Sequence, residues 1–213
     1  MREAYIVSSV RTPGCRKGKG AFKDTRPEDL LAFIMRAAVE KPGKLEPKDI
    51  DDVMIGCSFP EAEQGMNVGR VAAMKAGLPA EVPGQTINRF CSSGLQSIAL
   101  AAERVMLGLA DCIVAGGVES MSSVPMGGIK YSANPGLAEE WPEAYSSMGI
   151  TAELVAEKYG ITREEHDALA AESHRRAQRA QEGNRFDGQI LPIELKTRKG
   201  TTVFDRDEHV RPD

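Results

Sequence analysis

The sequence predicts an α/β fold with a mainly parallel sheet covered by helices. Two observations carry this. Over the first 118 residues short β-rich runs alternate with helical patterns, the order that βα units produce. The segments between them carry proline, glycine and capping residues where a chain must change direction. Composition agrees: of 213 residues, 41% are hydrophobic and 27% charged, enough for a real core of a globular protein.

Residues 4–10, "AYIVSSV", read as a first strand. Pro27 followed by Glu28 and Asp29 opens a helix, with proline in the first turn and acids at the positive end. Leu30, Leu31, Ile34, Met35 and Ala38 share a face of it, and Pro42-Gly43 stops it. "DDVMIGCSF" (51–59) predicts a second strand, and "NVGRVAAMKAG" (67–77) a short helix closed by glycine. "VPGQTINRF" (82–90) is a third, weaker strand. Next come Cys91 and apolar residues Leu95, Ile98, Ala99, Ala102, Val105, Met106 and Leu109, whose spacing of three and four predicts a helix. "DCIVAGGVE" (111–119) is a fourth strand entering a glycine pair. Beyond Glu119 a long Pro-, Gly- and Ser-rich stretch has no sustained period and reads as irregular chain. Helices follow at 151–159 and after Thr162, where Thr162 and Glu165 make a capping box. Residues 188–205 predict two short strands around the Lys199-Gly200 turn.

Several function classes are disfavoured. A net charge of −4 and 5% aromatics give no electrostatic or stacking platform for nucleic acid. No apolar run reaches membrane-span length, and the N-terminus lacks a signal-peptide layout, so a cytoplasmic protein is expected. The cysteines, Cys15, Cys57, Cys91 and Cys112, form no C-x-x-C pair, and with three histidines a zinc site has little support. Cys112 opens a strand and suits packing. His166, His174 and His209 lie in charged surroundings and read as solvated side chains. Arg70 reads as a surface or interface charge.

Cys91 stands where a strand gives way to a helix. The positive end of a helix favours a thiolate there, and first-turn amides can receive an oxyanion on an acyl group attached to sulfur. Ser92, Ser93 and Gly94 are small enough to let a substrate approach the backbone. A nucleophile fits this position; position alone leaves a small packed hydrophobe as the alternative.

"NRFCSSGLQSI" (88–98) and "AGGVESMS" (115–122) resemble the paired N-terminal signatures of the thiolases, the acetyl-CoA acyltransferases. "YIVSSVRTP", "GMNVGRVAAMKAGLP", "SMGITAELVAEKYGI" and "DEHVRPD" fit that family in the same order, so the resemblance covers essentially the whole chain. "CSSG" and Ser147 lean toward degradative 3-ketoacyl-CoA thiolases. The resemblance implies a layered thiolase-like fold, with an N-terminal α/β domain over 1–118 and a loop domain over 119–213, both incomplete, and a C-terminal half absent. It implies that Cys91 is the acyl-accepting nucleophile, that Met148 lines the acyl and pantetheine region, and that Arg211 sits beside the nucleotide end of coenzyme A. Asn88 and Glu119, within the signatures, read as hydrogen-bonding supports of the turn and the glycine strand. Coenzyme A and acetyl-CoA are expected as substrates, with no metal or redox cofactor. A complementary half or chain and a homo-oligomer are the expected partners. The family's N-E-A-F, G-G-H-P and C-x-G-x-G type segments, which supply the remaining catalytic groups, do not occur in this sequence. The expected function is therefore the nucleophile-bearing portion of a thiolase, inactive without the remainder. A CoA- or acyl-CoA-binding remnant and an interaction fragment are the alternatives.

Overall fold

The computed structural model describes residues 2–197 and 200–211. They divide into two compact units, one of residues 2–129 with 186–209 and the other of residues 130–185 with 210–211.

The first unit is built on a parallel three-stranded sheet. Strand β1 (Asp52–Gly56) lies between β2 (Gly84–Ile87) and β3 (Ile113–Gly117). In register, Ile55 stands beside Thr86 on one side and Gly116 on the other. All five residues of β1 are buried, as a central strand covered on both faces requires. Helices α1 (Pro27–Glu40) and α2 (Val68–Ala76) cover the face that carries Val53, Ile55 and Cys57. Helix α3 (Ser93–Met106) lies on the other face, where Gly56 meets it.

Local signals explain the helices. α1 starts at Pro27 and buries Leu31, Ala32, Met35 and Val39, a face rotated slightly from the predicted one, which leaves Leu30, Ile34 and Ala38 half-buried. Before α2, the Asn67 side chain accepts the Arg70 N–H, and Gly77 closes the helix at φ 84°, where glycine avoids the steric cost of a Cβ. Arg70 is not a loose surface charge. Its guanidinium donates to the carbonyls of Ala80 and Val82, bracing the chain between α2 and β2.

One expectation fails within this unit. Residues 4–10 form no strand; Tyr5, Ile6 and Val7 are 73%, 78% and 68% exposed. The run has strand composition, but without a ladder partner its backbone cannot form a sheet. An isolated bridge nearby joins Arg11 to Ile190 in parallel. Helix α3 forms where its spacing predicts, and turns its small residues inward. Ser93, Ser97 and Ala101 are buried, whereas Leu95 and Ile98 are 71% and 40% exposed. Close approach decides it. A Cβ on Gly56 would fall 2.3 Å from the Ser93 carbonyl carbon, so the helix rests on glycine with its small residues inward. The Ser97 hydroxyl lies 2.7 Å from the carbonyls of both Gly94 and Gly116, tying α3 to β3.

The hairpin of β4 (Ile193–Thr197) and β5 (Gly200–Phe204) is antiparallel as predicted; Lys199 of its turn lies outside the described residues. The following segment straps down the loop at 11–22. Asp207 accepts from the Arg11 guanidinium and the Gly14 amide, and Glu208 accepts the amides of Arg16 and Ala21.

The second unit holds short α4 (Pro135–Glu140), within the stretch predicted to be irregular, then α5 (Met148–Tyr159) and α6 (Arg163–Glu182). α5 starts three residues earlier than predicted because the Ser147 side chain accepts the Ile150 N–H. α6 opens on the expected reciprocal Thr162–Glu165 capping box. Among the described residues no helix is long and apolar enough to cross a membrane.

Candidate active site

Cys91 lies in a single 3-10 turn, Phe90–Ser92, between β2 and α3. Its thiol is exposed. The other cysteines differ. Cys57 is buried, and its thiol is pushed up to about 11, by burial first and by the nearby Glu119 carboxylate second. Burial also raises the half-buried thiols of Cys15 and Cys112. Cys112 packs beside the main core.

The turn is backbone-strained. Phe90 has φ 46°, left-handed for a bulky L-residue, a conformation that costs about 1–3 kcal/mol and persists only where surroundings enforce it. Hydrogen bonds on both sides of the residue supply the enforcement. Asn88 Oδ1 accepts the Phe90 N–H at 2.9 Å. The Ser93 hydroxyl donates to the Phe90 carbonyl at 2.6 Å and accepts the Arg89 N–H at 2.8 Å. The consequence is a sharp elbow that lifts Cys91 out at the carboxyl end of a parallel strand, the edge where open α/β sheets bind ligands.

The first turn spends some of the donors that the sequence offered to an oxyanion. The Ser92 amide donates to the Arg89 carbonyl at 3.1 Å, and the Ser93 amide donates to the Phe90 carbonyl. Those two N–H groups hold the elbow.

A polar network links the elbow to neighbouring strand ends. Asn88 Nδ2 donates to the Ser58 carbonyl at 2.9 Å, and the Ser58 N–H donates to Glu119 Oε2 at 2.7 Å. Glu119 Oε1 accepts from Gln64 Nε2 at 2.7 Å. Gln64 is fully buried, also donates to the Phe59 carbonyl and accepts the Ser120 N–H. Asn88 and Glu119 thus act as the hydrogen-bonding supports expected of them.

Met148 and Arg211 belong to the second unit. Met148 is the first residue of α5 and is 67% exposed. Arg211 donates its backbone N–H to His174 Nδ1 at 3.2 Å, so His174 is more than a solvated side chain. Pro212 and Asp213, which end the "DEHVRPD" segment, lie outside the described residues. On α6, Glu172 is bound by Arg176, Arg175 and Arg179, which lower its carboxyl to about 2. Among the described residues no cluster of His, Cys, Asp and Glu could hold a metal.

The family model for the thiolase N-terminal domain matches residues 4–213. The chain belongs to the thiolase family. It is 48% identical over 221 residues to the 3-ketoacyl-CoA thiolase of Bacillus subtilis (strain 168), covering 100% of this chain and 56% of that protein. It is 40% identical over 215 residues to the 3-ketoacyl-CoA thiolase of Vibrio vulnificus (strain CMCP6), covering 100% of this chain and 55% of that one. The crystal structure of the Bacillus anthracis acetyl-CoA acetyltransferase is similar with a TM-score of 0.85 at 40% identity, over 100% of this chain and 56% of its own. The chain therefore spans about half the length of the relatives it matches, and its α/β architecture is that of an N-terminal portion of the thiolase fold.

The left-handed Phe90 is the feature of this turn that sequence reading missed. "NRFC" places an aromatic residue, not glycine, at the left-handed position, so no local propensity announces the turn.

Proposed function

We infer that this chain is the nucleophile-bearing portion of a thiolase-type acyl-CoA acyltransferase, with Cys91 accepting the acyl group. The observation that carries the reading is the exposed thiol on a strained strand-to-helix elbow. Strain held in place beside a reactive side chain suits preorganisation for attack.

In acyl loading from acetyl-CoA, the Cys91 sulfur attacks the thioester carbonyl carbon. A carbon–sulfur bond to Cys91 forms, the bond to the coenzyme A sulfur breaks, and coenzyme A leaves with the proton that Cys91 gave up. In cleavage of a 3-ketoacyl-CoA, the same sulfur attacks the 3-keto carbon, and the electrons of the broken carbon–carbon bond leave as the acetyl-CoA enolate, which takes a proton at carbon. A second coenzyme A thiol then removes the acyl group from Cys91. The cycle balances with coenzyme A and its thioesters alone. Met148 is proposed to line the acyl and pantetheine region and Arg211 to meet the nucleotide end of coenzyme A. Residues 1–118 and 119–213 are proposed as the α/β and loop portions of the family layout. A cytoplasmic, oligomeric thiolase acting on fatty-acid intermediates completes the reading.

Cleavage also needs an acid/base for the enolate. Among the described residues no side chain hydrogen-bonds the Cys91 thiol, and the family segments that supply those groups are not in this sequence. We therefore propose that the chain by itself accepts an acyl group and turns over little or no acetoacetyl-CoA. The apolar residues of α3 left outside, Leu95 and Ile98, support a remainder that packs there.

The test is incubation with acetyl-CoA followed by intact mass and peptide mapping. One acetyl group per chain, on Cys91 and lost in Cys91→Ser, is expected. Acetylation of another cysteine, or none, overturns the nucleophile. Steady cleavage of acetoacetyl-CoA by this chain, abolished by Cys91→Ser, overturns the proposal that the remainder is needed.

A further inference from the structure

Three segments meet at the carboxyl edge of the sheet, each following a different strand: residues 57–64 after β1, 88–90 after β2 and 118–120 after β3. Their connection is a continuous relay. Glu119 Oε2 receives the Ser58 N–H at 2.7 Å, the Ser58 carbonyl receives Asn88 Nδ2 at 2.9 Å, and Asn88 Oδ1 receives the Phe90 N–H at 2.9 Å. At its far end the relay is anchored on the fully buried Gln64. At its near end stands Phe90, the left-handed residue immediately before Cys91.

We propose that Asn88 and Glu119 are positioning residues for acyl transfer to Cys91, acting through the Ser58 peptide to hold the Phe90 amide and so fix where the sulfur is presented. This rests on the reading of Cys91 as the acyl acceptor. Asn88 is exposed and buries no apolar surface of consequence, so its two hydrogen bonds define its contribution. Both run to backbone atoms, and together they bridge two strand ends. Glu119 uses one oxygen for the Ser58 peptide and the other for Gln64, so the carboxylate fixes the relay to the interior. Without the relay the Phe90 N–H loses the side-chain acceptor that favours its unusual φ, and the elbow can relax toward an ordinary turn. The thiol would remain exposed and nucleophilic but displaced. Acyl transfer requires the sulfur to meet a bound carbonyl along one direction, so it is sensitive to such displacement. Alkylation by a small, freely diffusing reagent is not.

That difference is the test. Acetylation by acetyl-CoA and alkylation by iodoacetamide would be timed by intact mass for the chain itself and for Asn88→Ala, Asn88→Asp and Glu119→Ala, with circular dichroism melting as a check on folding. Asn88→Ala should slow acetylation of Cys91 by about 10- to 100-fold, a range set by a misplacement of about 1 Å, while alkylation changes less than about threefold. Asn88→Asp keeps the acceptor for Phe90 and loses the donor to Ser58, so it should lose less, and Glu119→Ala should change the two rates in the same sense as Asn88→Ala. If Asn88→Ala fails to fold, Asn88→Asp carries the comparison. Unchanged acetylation in the folded Asn88 variants overturns the relay, and so does an equal fall in both reactions, which marks a merely structural role. No acetylation of the unsubstituted chain is a different failure: it removes the nucleophile reading, and this proposal falls with it.

Discussion

At the scale of single residues, Cys91 is set apart by what surrounds the other thiols. Cys57 is buried with its thiol near 11, so its thiolate fraction is roughly a hundredfold below that of an ordinary thiol. Cys15 and Cys112 are half-buried and raised in the same direction, burial being the first cause in both. Limited iodoacetamide at about pH 7.5 should therefore label Cys91 well before the other three, read by peptide mapping of the singly modified chain. Earlier labelling of Cys15 or Cys112 would contradict this ordering. The location of Cys91 was legible in the sequence because a strand pattern stops and a helix pattern starts around it. The elbow's mechanism was not. It depends on Asn88 bonding forward to Phe90 and across to Ser58, 30 positions earlier in the chain, and only the second bond says why the side chain must be an amide.

At the scale of elements, the same distinction recurs. Several helix boundaries were legible from local signals: Pro27 in the first turn of α1, Gly77 at the end of α2, Thr162 with Glu165 before α6; the Ser147 cap of α5 was not. The buried face of α3 was not, because it is chosen by glycine in β1, not by apolar spacing in the helix. The strap of Asp207 and Glu208 over residues 11–22 was equally hidden, since its bonds cross more than 180 positions. It carries a pH dependence. The Arg11 guanidinium, against some burial, lowers the Asp207 carboxyl. For Glu208 burial opposes ionisation, but the Arg16 and Ala21 amides outweigh it, so its carboxyl also lies low. Groups depressed on folding contribute stability above their unfolded pKa, about 4, and lose it as pH falls through the lower folded values. The thermal midpoint of the first unit should therefore fall between about pH 5 and pH 3. A paired Asp207→Asn, Glu208→Gln variant should start lower at about pH 5 and decline less steeply. Parallel declines in the two proteins would show that the strap contributes nothing to acid sensitivity.

At the scale of the whole molecule, burial is shared unequally between the two units. The first encloses a core running from Leu31 and Met35 of α1 through Val53 and Ile55 of β1 to Val68 and Ala72 of α2. In the second, Ala156 is the one buried residue among those described. Helix α5 leaves Ile150, Leu154 and Tyr159 at 55%, 51% and 67% exposure, and α6 leaves Leu169 at 70%. Capping and the Arg–Glu172 pairs sustain these helices locally, but exposed ion pairs add about 0–1 kcal/mol each. Apolar burial contributes roughly 25 cal/mol per Å², and the second unit has little of it. Local opening should follow that inequality. In native-state hydrogen exchange, backbone amides of α5 and α6 should exchange first, while those of β1 and the buried turns of α1 and α2 exchange last and report the global unfolding of their unit. The α3 amides beside Cys91 should fall with the slow class near Ser97, where the hydroxyl meets the Gly116 carbonyl, and become faster toward Met106. Equal protection across α5, α6 and β1 would refute this hierarchy, because it would require a source of stability in the second unit that its buried surface does not supply.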